Sequence, residues 1–252
     1  PQFEKGGRQA TFFIGCRTPK RIRCLMGTVN MEGVTLKNLL LSLSLLLLAP
    51  LLATAQTVGE SYVEGEHYDL IAPPVRTANP DKIEVVEFFW YGCHHCYTFE
   101  PVIGAWKKTL AADVDFQGSP AVWAPNMKLH AQAFYAAEVL GVADTMNLVL
   151  FQAMNVDGKK LQSEADIQEL FVANGVSAEA FAKAFGSFGV TSQVNQGDAR
   201  ARAAKITGTP SLMVDGKYRV SAAKAGSQAD MLKVVDFLVE KERKERAAKQ
   251  GS

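Results

Sequence analysis

Cysteine is scarce in this chain. Four occur among 252 residues, at Cys16, Cys24, Cys93 and Cys96, too few for a scaffold held together by disulfide staples. An excess of either charge is also missing: 27 Lys+Arg stand against 26 Asp+Glu, which leaves no basic face for nucleic acid. No apolar run reaches the roughly 20 residues that a membrane-spanning helix needs. The longest, from Leu39 to Leu52, stops short of it. Internal repeats and low-complexity tracts are absent too. A 48% apolar composition remains, ample for a globular core.

The run at Leu39 to Leu52 has a different use. Met31 opens the segment, Lys37 supplies an early positive charge, and Ala53-Thr54-Ala55 closes it with an A-x-A pattern. Residues 31–55 therefore read as a secretory signal peptide cleaved after Ala55, in preference to a membrane anchor. Residues 1–30 fit no part of such a signal and are read as upstream or non-native sequence. Cleavage would remove Cys16 and Cys24. The mature chain would hold 20 Lys+Arg against 24 Asp+Glu, a net charge of about −4, and only Cys93 and Cys96. A bridge across so short a loop restrains the unfolded chain least, so chemistry explains the pair better than stapling.

That pair sits in Phe88-Phe89-Trp90-Tyr91-Gly92-Cys93-His94-His95-Cys96-Tyr97. Ile83 to Phe89 is rich in β-branched and aromatic residues and predicts a strand. Glu87 is read as its lone charge near the end, pointing into or beside the core. A helix is expected from Cys93 to about Leu110, with Tyr97, Val102, Trp106 and Leu110 on its apolar face and a kink at Pro101. Tyr68 to Ala72 reads as a short edge strand, and Val114 to Phe116 as the strand after the helix. From Asn126 to Ile206 the pattern is helical, with Ser163-Glu164-Ala165-Asp166 as a capping box, Ser177 as a further cap and Val190 to Lys205 as the last helix. Ser211 to Val214, Asp215-Gly216 and Lys217 to Val220 predict a hairpin with a type I′ turn, and Ser227 caps a closing helix. His67 and His130 read as ordinary surface or helix residues.

The expected fold class is therefore α/β: a βαβ half over residues 56–125, an all-helical insertion over 126–206, and a ββα half over 207–252. With Cys-x-x-Cys at the start of the first helix and Gly208-Thr209-Pro210 before the hairpin, this resembles the thioredoxin fold. The helical block, the export signal and the residues from Glu87 to Cys96 resemble, more narrowly, the DsbA family of periplasmic thiol:disulfide oxidoreductases. The resemblance implies that Cys93 is the nucleophile, Cys96 its buried partner, Pro210 a cis-proline facing the disulfide, Glu87 a buried acidic residue beneath the site, and His95 a histidine that tunes the thiolate. His94 stands where the best-known members have proline, and Thr209 where they have valine. Thr209 could donate its hydroxyl to the Cys93 thiolate or to a bound peptide. The family implies no cofactor beyond the Cys93–Cys96 disulfide. Its partners would be extended exported polypeptides bearing thiols and a quinone-linked membrane reoxidant resembling DsbB; no nucleic acid is expected, and a monomer is.

The residues alone carry part of this. A thiolate at a helix N-terminus meets unpaired backbone N–H groups and the positive end of the helix dipole. Lowering its pKa favours the reduced state and makes the disulfide more oxidising. A disulfide isomerase or reductase on the same fold and a non-catalytic peptide-binding chaperone are the nearer rivals. A metal site is a further alternative, disfavoured because four consecutive residues on one helical turn diverge around its axis.

Overall fold

The computed structural model describes residues 61–251, so residues 1–30 and the expected signal peptide lie outside the described residues. Five strands form one sheet in the order β1-β5-β4-β2-β3: β1 Asp69–Leu70, β2 Ile83–Phe89, β3 Val114–Pro120, β4 Ser211–Val214 and β5 Tyr218–Ser221. Strands β2 and β3 run parallel, with Glu87 opposite Gly118. Strand β4 pairs antiparallel with β2, placing Leu212 opposite Glu87. Strand β5 continues the hairpin, and β1 closes the far edge beside it.

All seven residues of β2 are buried, which explains why its sequence is nearly continuous in apolar residues: both faces of this central strand are covered. Ile83 and Val85 lie in one cluster with Phe99, Ile103, Met231 and Leu238. Val86 and Phe88 lie in another with Ala201, Ala204 and Met213. The helices that cover these faces are α1 His94–Lys107, α6 Phe188–Ala203 and the long α8 Gln228–Gln250. Between β3 and β4 the chain forms α2 Pro125–Val139, α3 Ala143–Asn155, α4 Glu164–Ala173, α5 Ala178–Phe185 and then α6. These gather around Phe134, Leu150, Phe151, Phe171 and Phe181. The one-turn α7, Ala222–Ala225, precedes α8.

Local signals account for most boundaries. Ser163 accepts from the Asp166 N–H while Asp166 accepts from the Ser163 N–H, a complete capping box. Ser177 and Ser227 cap α5 and α8 as expected. Ser187 caps α6, which starts at Phe188, two residues before the expected Val190. The hairpin turn has positive φ at both Asp215 and Gly216, the requirement of a type I′ turn. A Cβ at Gly216 would lie 1.9 Å from the Val75 carbonyl oxygen, so only glycine fits this close approach.

The apolar face of α1 needs correction. Its buried residues are Cys96, Phe99, Ile103 and Trp106, whereas Val102 is exposed and Tyr97 half-buried. Two apolar stripes compete along this helix, and contact with the sheet selects the one bearing Phe99 and Ile103. The helix runs through Pro101 and ends at Lys107, three residues early. Strand β3 extends four residues past Phe116 to Pro120. Strand β2 also carries a second buried acid: Glu84, on the opposite face from Glu87, pairs with Arg200 of α6 and accepts the Ala78 N–H at 2.9 Å.

Candidate active site

Strand β2 ends at Phe89, and the chain turns through Trp90, Tyr91 and Gly92 to place Cys93 as the N-cap of α1. The Cys93 N–H donates to the Trp90 carbonyl at 2.9 Å. A Cβ at Gly92 would come within 2.4 Å of the Trp90 ring, so the indole packs where any side chain would stand. The turn is anchored to the helical block. Trp90 Nε1–H donates to His130 Nδ1 at 2.9 Å, and His130 Nε2 lies 3.0 Å from the Leu161 carbonyl. Asn155 Nδ2 donates to the Tyr91 carbonyl at 2.7 Å. These bonds assign His130 the neutral tautomer protonated on Nε2, and burial lowers its pKa from the ordinary histidine value. His130 is thus a buried strut rather than a surface residue.

Cys93 and Cys96 are both free thiols, Cys93 half-buried and Cys96 fully buried. The Cys93 thiol donates to the Thr209 carbonyl at 3.4 Å, so residues more than a hundred positions apart meet at the sulfur. The Thr209–Pro210 peptide is cis. The Cys93 pKa is lowered to about 5, foremost by a hydrogen bond with Cys96; the Thr209 side chain and the backbone N–H groups of Cys96 and His95 add to this, and burial opposes it. Cys96 is displaced the other way: its bond to Cys93 and its burial hold its pKa well above the ordinary thiol range. The two sulfurs are chemically distinct before any substrate arrives.

His94 and His95 are exposed, their ring centroids 6.5 Å apart. His95 acts on Cys93 through its backbone N–H. Glu87 is buried with Oε1 lacking a hydrogen-bond partner. Burial, foremost, then the charges of Glu100 and Cys93 push its pKa up to about 8, against the pull of Lys107. It borders a groove of about 1000 Å³ that Glu100, Lys107, Gln117 and Ser119 also line. Among the described residues no group of three or more His, Cys, Asp or Glu side chains is placed to hold a metal ion.

Of the sequence-derived set, Cys93, Cys96 and Thr209 meet at one sulfur pair, and Pro210 is joined to Thr209 through the cis peptide. Asn155, His130, Thr98 and Gln228 also support the turn and its helix, and their polar residue types carry no local signal of that role. The asymmetry of the thiols has a direct consequence in alkylation. At pH 6 a thiol of pKa 5 is about 0.9 ionised and one of pKa 9 about 0.001, while the lower basicity returns about 40- to 100-fold in nucleophilicity. Cys93 in the reduced protein should therefore react with iodoacetamide roughly 10- to 20-fold faster at pH 6 than an ordinary thiol, with a midpoint near pH 5. Mass mapping of the labelled site checks this, with Cys96 unlabelled in the folded state.

The same architecture recurs in known proteins. The family described as the DSBA-like thioredoxin domain matches residues 105–234. The thiol:disulfide interchange protein DsbA of Azotobacter vinelandii is 41% identical over 186 residues, covering 74% of this chain and 84% of that protein. The Pseudomonas aeruginosa protein of the same name is 37% identical over 203 residues, covering 79% and 96%. A crystal structure of Pseudomonas aeruginosa DsbA superimposes with a TM-score of 0.71 at 39% identity, covering 75% of this chain and 97% of the other, and DsbA from Xylella fastidiosa does so with a TM-score of 0.68 at 33% identity. With its sheet order, its inserted helices and its paired thiols, the chain has a thioredoxin fold and belongs to the DsbA-like family of thiol:disulfide oxidoreductases.

Proposed function

We propose that the protein is a periplasmic disulfide donor, exported by the segment 31–55, whose oxidised form carries a Cys93–Cys96 bond. The observation that supports this best is the opposed displacement of the two thiols, Cys93 accessible and acidic, Cys96 buried and basic. A substrate thiolate attacks Cys93 Sγ, the Cys93–Cys96 bond breaks, and Cys96 leaves as a thiolate that takes up a proton. A second substrate thiolate then attacks its own sulfur in the mixed disulfide and Cys93 departs as the stabilised thiolate. The substrate loses two electrons and the enzyme gains them.

In this reading Glu87, whose pKa is pushed up to about 8, trades the Cys96 proton: it gives the proton up as Cys96 leaves and accepts it again when the disulfide is re-formed. Pro210 has no N–H to pair, and in the oxidised form, where Cys93 no longer donates to it, the Thr209 backbone is available to pair with an extended polypeptide. Thr209 and the N–H groups of Cys96 and His95 stabilise the leaving thiolate, as their effect on Cys93 supports. The His95 ring tunes that thiolate further, and His94 either adds to this or is neutral. Residues 126–206 act as the helical insertion between the two parts of the thioredoxin domain. Reoxidation requires a quinone-linked membrane partner resembling DsbB, and the protein works as a monomer without a bound cofactor.

Equilibration with glutathione buffers tests the direction of the reaction. The expected potential is near −120 mV, the value known for DsbA; a value near the −270 mV of thioredoxin overturns the donor role and favours a reductase or isomerase.

A further inference from the structure

Helix α8 begins at Gln228, beside the redox turn. Gln228 Nε2 donates to the His95 carbonyl at 2.5 Å, and Thr98 Oγ1 donates to the same oxygen at 3.1 Å. Thr98 Oγ1 and Gln228 Oε1 stand 3.5 Å apart, closing a small clasp. The oxygen they share belongs to the peptide between His95 and Cys96. The other end of that peptide is the Cys96 N–H, one of the groups that stabilise negative charge on Cys93. A peptide whose carbonyl accepts more strongly donates more strongly through its N–H, because the two groups polarise one another.

We propose that Gln228, with Thr98, is a positioning residue for thiol:disulfide exchange: its bond to the His95 carbonyl fixes and polarises the His95–Cys96 peptide so that the Cys96 N–H bears on the Cys93 sulfur. Gln228 reaches the reacting atom only through this peptide. It stands at the N-terminus of the helix whose Met231 and Leu238 pack in the same cluster as Phe99 and Ile103 of α1. That shared packing holds the donor in register with the redox helix. The clasp also works through a carbonyl, so it is independent of the identity of the side chains at His94 and His95. The proposal deepens the thiolate chemistry of the proposed function, and it concerns a difference from the parent protein at whatever potential the parent has.

The test compares Gln228→Ala, Gln228→Glu and Thr98→Val with the parent, measuring the Cys93 thiolate by its ultraviolet absorbance against pH, the equilibrium constant with glutathione, and the melting temperature. Polarisation changes a hydrogen bond to a charged group by about 10–30%. Gln228→Ala should therefore raise the Cys93 pKa by about 0.1 to 0.7 and make the disulfide up to about fivefold less oxidising. Gln228→Glu, which keeps the bulk of the side chain but removes the donor, should shift both at least as far in the same direction. Unchanged pKa and equilibrium constant in the Ala and Glu variants, with or without a lower melting temperature, would overturn the role. A parent potential near that of thioredoxin would overturn the donor function and leave these differences to be read as before.

Discussion

Replacing Glu87 by Gln is expected to stabilise the protein at pH 7 by about 3 kcal/mol, raising its melting temperature by roughly 6–12 °C. Glu87 is fully buried on β2, and its pKa rises from 4.5 to about 8 on folding. A raised carboxyl pKa means that the folded state holds its proton more tightly than the unfolded chain. The favourable contribution is complete below pH 4.5, declines as pH rises toward 8 and is lost above it. At pH 7 the unfolded carboxyl has already released its proton, and recovering it costs about 1.4 kcal/mol for each of about 2.5 pH units. Gln mimics the protonated group without that cost. Denaturant unfolding of both proteins from pH 4 to 9 measures the effect. The gap should be small at the acid end, widen with pH and level off above 8; a gap independent of pH would refute the account.

Removing Arg200 should have a comparable effect of opposite sign. Its guanidinium meets Glu84, whose carboxylate is fully buried on the other face of the same strand. Arg200→Ala would strand that carboxylate with only the Ala78 N–H for company, and breaking one side of a buried pair costs about 3–5 kcal/mol. The double variant Glu84→Gln with Arg200→Met should recover most of the loss, since the carboxamide still accepts from Ala78 and no charge remains. Urea midpoints of the single and double variants decide the matter. If Arg200→Ala loses less than about 1 kcal/mol, the pair behaves as an exposed surface bridge.

These two acids illustrate where the sequence was legible and where it was not. Strand β2, the serine caps and the Asp215-Gly216 turn are written in residues close to one another along the chain, and each was readable. Cys93 and Cys96 could be placed because the strand before them and the helix after them are both local features. Thr209-Pro210 was found through resemblance, since nothing near it in sequence points to a sulfur more than a hundred residues away. Glu84 and Arg200 are likewise partners only in space, and neither carries a motif. His130, read as an ordinary surface or helix residue, does lie on a helix, but its place as a buried strut was not legible: most of α2 is buried, from Met127 through Ala137, so periodicity gave no buried side to assign it to. The face of α1 was right at Trp106 and wrong at Tyr97 and Val102 for a related reason: both are apolar enough to compete with Phe99 and Ile103, and only the sheet beneath chooses between them.

The position of β2 between β3 and β4 also sets a temporal order. One neighbour follows soon after in the chain, but the other comes only after all five helices of the insertion. While the chain is still emerging, the strand can pair on one side early, and its second edge waits for the hairpin to arrive. Closing so long a loop is slow compared with forming local contacts. Thr209 arrives with that hairpin. A nascent chain thus carries both cysteines before it possesses the wall that distinguishes them. Its earliest thiol chemistry is that of an unfolded polypeptide, open to oxidation by finished copies of itself.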